Sequence, residues 1–146
     1  MKPHDNGPLA IRHESDLSAA RLRIRAAAQA CGLPPVRTEA LATAVTEIAR
    51  NMLMHASGGE MVVFRVKRGG PPGIEAVLRD AGPGIPDIDT AMRDGFSTGN
   101  SLGLGLSGAR RLVDEFEIDS EASRGTTVVL RQFCEGPPTP TTTLGG

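Results

Sequence analysis

Residues 80–108 read DAGPGIPDIDTAMRDGFSTGNSLGLGLSG. Two glycine clusters, Gly82 with Gly84 and Gly103 with Gly105 and Gly108, flank a polar connector. Glycine suits positive φ and close approach of the backbone to a ligand. The second cluster opens into an apolar-periodic segment, Leu106 to Val113, which predicts a helix. A glycine-rich turn at a helix start presents backbone N–H groups that have no intrahelical partner, and these suit a phosphate. The stretch therefore reads as one wall of a nucleotide pocket.

Upstream, Ile74 to Arg79 predicts a strand that delivers Asp80 at its end, and Met61 to Lys67 alternates in the manner of an antiparallel partner. A glycine-proline loop, residues 69–73, joins them. Before these strands, Thr38 is placed to cap a helix from Glu39 to about Ala56, with Leu41, Ala44, Val45, Ile48, Met52 and Leu53 as its apolar stripe and Ser57-Gly58-Gly59 as its end. Leu33-Pro34-Pro35 predicts an extended break. An earlier helix runs from a cap at Ser15 or Asp16 to about Ala30 with Leu17, Ala20, Ile24, Ala27 and Ala28 inward, and Gly32 ends it. Leu9 to His13 carries a weak strand alternation.

Downstream, residues 87–94 predict a short helix, and residues 95–101, small and polar, a mobile segment. A helix from about Leu104 to Glu115 follows, then a strand Phe116–Glu121, a turn at Ser123-Arg124-Gly125 and a last strand Thr126–Phe133. Residues 1–7 read as a flexible lead, 8–134 as one domain, and 135–146, EGPPTPTTTLGG, as a disordered tail. This order of elements predicts an α+β chain: a two-layer α/β sandwich with a mixed, mostly antiparallel sheet and its helices on one face.

Composition narrows the function. Sixteen basic and seventeen acidic side chains nearly cancel, and the net charge of −1 offers no field for nucleic acid or an anionic membrane. Four Phe with no Trp or Tyr leave no stacking platform for single strands. No apolar run approaches the roughly 20 residues of a membrane span, and the N-terminal residues lack the apolar core of a signal peptide. A cytoplasmic protein is expected. Cys31 and Cys134 stand apart with no C-x-x-C spacing and read as two ordinary reduced thiols.

Four places carry chemistry, and each also has an ordinary structural reading. Glu47, Asn51 and His55 fall at i, i+4 and i+8 on one line of the second helix. Asn51 offers the amide oxygen that Mg²⁺ accepts beside phosphates and waters, and Glu47 could polarise a hydroxyl or water aimed at a γ-phosphate; both could equally be solvated helix residues. Asp80 can accept from an exocyclic amine such as that of adenine, or merely start a turn. The Gly103-Leu104-Gly105-Leu106-Ser107-Gly108 run can cradle phosphates or be a plain loop. It lacks the leading strand of a dinucleotide fold, and the chain has neither a P-loop nor a His-Arg-Asp kinase loop. Thr126, after Arg124-Gly125, could back up Asp80 or be an ordinary strand threonine. Arg50 and His55 stay open between phosphate, partner and solvent.

Together, Glu47-x-x-x-Asn51, Asp80-x-Gly82-x-Gly84, Gly103-x-Gly105-x-x-Gly108 and Gly125-Thr126 resemble the asparagine box, the two glycine boxes and the closing Gly-Thr of the GHKL ATPase superfamily. EIARNMLMHA, DAGPGIPDI and the run from Asp94 to Thr127 are similar to RsbT-type serine/threonine kinases of bacterial partner-switching modules, over about residues 8–133. The resemblance implies a Bergerat, histidine-kinase-like ATPase fold that binds ATP and Mg²⁺. It implies Glu47 as general base, Asn51 as Mg²⁺ ligand, Asp80 as adenine reader helped through water by Thr126, and Gly82, Gly84, Gly103, Leu104, Gly105, Leu106 and Gly108 as the nucleotide cradle. It further implies residues 95–101 as a short lid, a STAS-domain antagonist as substrate and a metal-dependent phosphatase as a downstream partner. The alternative it leaves is an anti-sigma factor of the RsbW or SpoIIAB type, or a nucleotide-regulated adaptor with little catalysis.

Overall fold

Two successive prolines decide where the second helix begins. In the computed structural model, which describes residues 7–67, 69–80, 105–121 and 125–135, Pro34 is extended at φ −62°, ψ 150°, and Pro35 opens helix α2, Pro35–His55. Proline suits the first helical position because its missing N–H would have no intrahelical partner there. The helix therefore starts four residues before the predicted Glu39. Thr38 is no cap: it lies buried in the first turn, and its hydroxyl donates to the Leu33 carbonyl at 3.3 Å. Helix α1, Ser15–Cys31, ends at Gly32 as expected, with the left-handed φ of 88° that glycine adopts without steric cost. At its other end the N-cap is Glu14. Asp16 sits inside the first turn, and its carboxylate turns back to accept the N–H groups of Arg12 and His13 at 2.8 and 2.9 Å. Those two bonds hold the Asp16 carboxyl below the usual carboxylate range.

The strands are β1, Leu9–Ile11; β2, Gly59–Lys67; β3, Pro72–Asp80; β4, Glu115–Glu121; and β5, Gly125–Phe133. They form one sheet in the order β1-β2-β3-β5-β4, with every ladder antiparallel. Helix α3, Gly105–Leu112, precedes β4. It stops three residues short of the predicted Glu115, which already pairs with Arg131 in the β4–β5 ladder. Residues 1–6 of the predicted lead (1–7), the short helix at 87–94, the segment at 95–101 and residues 136–146 of the predicted tail (135–146) lie outside the described residues.

Period-2 alternation sends Met61 and Val63, Ile74, Ala76 and Leu78, and Val128 and Leu130 to one face of the sheet, where all are buried. Helices α1 and α2 pack on that face, and α3 packs on α2. Leu17, Ala20, Ile24, Ala27 and Ala28 of α1 and Leu41, Ala44, Val45, Ile48 and Met52 of α2 complete the core as the spacing predicts. Each large side chain so buried contributes about 1.5–3 kcal/mol. On the opposite face, Arg131 lies between Glu75 at 2.6 Å and Glu115 at 3.0 Å and also meets Glu117. Burial works against its charge, but the three carboxylates outweigh that and raise its pKa.

A polar hub ties the end of the sheet away from Asp80 to the helices. Arg37 of α2 donates to both carboxylate oxygens of Asp114 at 2.5 Å and to the Phe133 carbonyl at 2.7 Å. Asp114 accepts the Phe133 N–H, and the Gln132 side chain joins the Asp114 N–H to the Arg37 and Leu112 carbonyls. Removing one partner of such a half-buried charged set strands the rest. Asp114→Ala should therefore lower unfolding free energy by about 2–4 kcal/mol, measured by urea titration; a loss below about 0.5 kcal/mol would show the hub to be a solvated surface pair.

Candidate functional site

The site grows from one end of the sheet. The ladder registers align Gly59 with Asp80, Arg79 with Thr127, and Ser120 with Thr126. Alternation places Asp80, Thr126 and Ser120 on the helix-covered face, beyond the last apolar row of Leu78 and Val128. Asp80 is thus the last residue of β3, half-buried, with an oxygen 3.3 Å from the Thr126 N–H. The Thr126 and Ser120 hydroxyls are 2.9 Å apart. A carboxylate held by a backbone N–H keeps acceptor capacity for a further donor. The Thr126 backbone N–H thus meets Asp80 directly.

Helix α2 supplies the second wall. Its last turn reaches this row through Met52: a Cβ placed on Gly59 would lie 2.5 Å from Met52 Cε and 2.2 Å from the Arg79 carbonyl oxygen. Ile48 and Met52 point into the core, and Glu47 and Asn51, one step round, stay half-buried on the rim. Arg50, left open by the sequence, turns back one helical turn and donates to Glu47 Oε2 at 3.0 Å. His55 is exposed at the helix end.

Helix α3 packs on α2 and is the candidate third wall. Gly105 is its first residue, so the N–H groups of Gly105, Leu106 and Ser107 are among those a helix leaves without intrahelical partners. Leu106 contributes only its backbone, because its side chain is buried in the core with Ala109. Gly82, Gly84, Gly103 and Leu104 lie outside the described residues. The structure thus brings Asp80 and Thr126 together, puts Glu47 and Asn51 on one rim of α2, and packs α2 against the helix that Gly105 opens.

Sequence reasoning missed two residues and one contact. Gly59 was read only as a helix end, although a Gly-Gly pair leading straight into a strand is a signal for close backbone approach. Ser120 was available from the alternation Phe116, Ile118, Ser120. The ion pair of Arg50 with Glu47 follows from i, i+3 spacing, which was legible but not used.

The donors fit a nucleotide with a magnesium ion. Among the described residues no cluster of three His, Cys, Asp or Glu could enclose a metal alone. One amide oxygen, from Asn51, is what Mg²⁺ takes when phosphates and waters supply the rest.

Known proteins resemble the chain in sequence and in fold. The family model described as a histidine kinase-like ATPase domain matches residues 11–132. The chain is 40% identical over 125 residues to the serine/threonine-protein kinase RsbT of Bacillus subtilis (strain 168), covering 86% of this chain and 94% of that one. It is 31% identical over 123 residues to an anti-sigma F factor of Geobacillus stearothermophilus, covering 77% of this chain and 83% of that one. A mycobacterial sensor histidine kinase, MprB, superposes with a TM-score of 0.54 at 17% identity, over 92% of this chain and all of that one; this likeness concerns the fold alone. No described helix is long and apolar enough to cross a membrane.

Proposed function

The chain belongs to the histidine kinase-like ATPase family, and on that premise we propose that it is a cytoplasmic, ATP- and Mg²⁺-dependent protein serine/threonine kinase of a bacterial partner switch. Its substrate is a STAS-domain antagonist protein. The observation that carries the reading is the Glu47-x-x-x-Asn51 rim on α2, packed beside the sheet end where Thr126 holds Asp80.

ATP would supply the γ-phosphoryl group, and Mg²⁺, when bound, would supply charge neutralisation for its phosphates. Phosphoryl transfer asks a protein mainly for positioning and charge stabilisation. Asp80 accepts from the adenine amine, steadied by the Thr126 N–H. Gly82 and Gly84 let the backbone approach the nucleotide. Asn51 would hold the metal through its amide oxygen. The N–H groups at Gly105 and Leu106 would take the phosphates, with Gly103, Leu104 and Gly108 assigned to the same cradle. Glu47 takes the proton of the incoming serine or threonine hydroxyl. Phosphate on the antagonist adds charge to its interface and releases the kinase, which is then free to engage a metal-dependent phosphatase.

Incubation with labelled ATP and a STAS-domain protein should label a Ser or Thr of that protein; intact ATP binding without any label would defeat the kinase reading. Asp80→Asn should cut the preference for adenine over guanine on the order of tenfold, the worth of one charged hydrogen bond, by competition binding. Unchanged preference would remove Asp80 from that role. The similarity to an anti-sigma F factor favours a second reading, in which the chain sequesters a sigma factor; recovery of a sigma factor in a pull-down, with no phosphorylation of an antagonist, would select it.

A further inference from the structure

Cys31 and Cys134 are 103 positions apart in sequence, yet their sulfurs are 3.9 Å apart. Cys31 is the last residue of α1 and is buried; Cys134 is half-buried and follows β5 directly. Both backbones are anchored. The Cys134 N–H donates to the Pro72 carbonyl at 2.9 Å, and Gly32, next to Cys31, caps α1 through the Ala28 and Gln29 carbonyls. The Cys134 thiol lies 3.5 Å from the Cys31 carbonyl oxygen. A disulfide needs sulfurs about 2.05 Å apart, so side-chain rotation has less than about 2 Å to supply.

We propose that Cys31 and Cys134 form an oxidation site, which hydrogen peroxide converts to an internal disulfide fastening the end of α1 to the chain leaving β5. The more exposed Cys134 reacts first. Its thiolate sulfur attacks one peroxide oxygen, the O–O bond breaks, and the departing hydroxide takes up a proton as water, leaving a sulfenic acid. The Cys31 sulfur then attacks the Cys134 sulfur, the S–O bond breaks, and a second water leaves. Two thiols and one peroxide give one disulfide and two waters, with two electrons passing from sulfur to oxygen. Burial raises the Cys134 pKa, with the Cys31 thiol adding to it. The first step is therefore slow at neutral pH and quickens as pH rises through the thiol's range.

The pair lies at the far end of the β3–β5 ladder from Asp80 and Thr126, near the register of Gly73 with Phe133. The bridge accordingly stabilises the fold and leaves nucleotide binding unchanged. It rests on none of the functional assignments above.

The test treats the full chain with hydrogen peroxide, alkylates it after unfolding, and reads intact mass, linked peptides and melting temperature. We expect a loss of about 2 Da for two hydrogens, one Cys31–Cys134 peptide, reversal by dithiothreitol, and a melting temperature higher on the order of 10 °C. Cys134→Ala should lose that rise and form no linked peptide. Two alkylated thiols after oxidation, a sulfinic acid, a linked dimer, or a rise that persists in Cys134→Ala would each overturn the proposal. If Cys134→Ala does not fold, the peptide map of the unaltered chain decides alone.

Discussion

Glu47→Gln should slow phosphoryl transfer by about 10²–10⁴-fold, the range for removing a positioned general base. ATP affinity should change less than about threefold, since binding energy common to ground and transition states is retained. The argument is geometric. Glu47 is half-buried on the rim of α2, one turn before Asn51, and its sequence neighbours Thr46 and Ile48 are buried. Its described polar partner, Arg50, has a side chain 42% exposed, so a neutral amide at 47 leaves that guanidinium free to turn to water. The substitution should cost under about 1 kcal/mol of stability, as for other exposed ion pairs. Single-turnover transfer, ATP titration and thermal melting separate the effects. Asn51→Ala, by contrast, should weaken binding of Mg-ATP itself. If Glu47→Gln loses binding and transfer together, Glu47 is a structural residue.

Gly59→Ala should be strongly damaging for a single added methyl. The added Cβ would lie 2.2 Å from the Arg79 carbonyl oxygen and 2.5 Å from Met52 Cε. The methionine end can swing away, but the carbonyl belongs to the β2–β3 ladder and moves only if the register of Gly59 with Asp80 opens. Overpacking of this kind costs about 1–3 kcal/mol, and the fixed backbone puts this site at the upper end. A fall in melting temperature on the order of 10 °C follows. Opening the register also shifts Asp80 away from the Thr126 N–H, so nucleotide affinity should fall in the same variant. Gly70 is the control: a Cβ there meets nothing within 4 Å, and Gly70→Ala should change stability by less than about 0.5 kcal/mol. Equal melting temperatures for the two variants would show that the β2 start yields without cost.

Period and punctuation were enough for the order of elements, because both are local. Alternation in Met61 to Lys67 and Ile74 to Arg79, and the 3.6 spacing of Leu41, Val45, Ile48 and Met52, reappear as buried faces. Boundaries were less legible where two local rules competed. Thr38 offered a cap, but Pro35 at the first helical position suited the chain better. Leu106 to Val113 read smoothly into Glu115, but pairing of Glu115 with Arg131 across 16 residues ended the helix first.

The candidate site divides along the same line. The sequence offered Glu47, Asn51, Asp80 and Thr126 as candidates beside their ordinary structural readings, and the resemblance to a known family joined them into one site. Only the folded chain decided that the Thr126 N–H meets Asp80 directly, that Arg50 occupies Glu47, that Gly59 cannot carry a side chain, and that Cys31 faces Cys134. Each of these is a contact between residues set by strand register or by the packing of one helix on its neighbour, or, for Arg50, by a choice of rotamer. Such distances depend on every element between the partners, and no local pattern of residues encodes them.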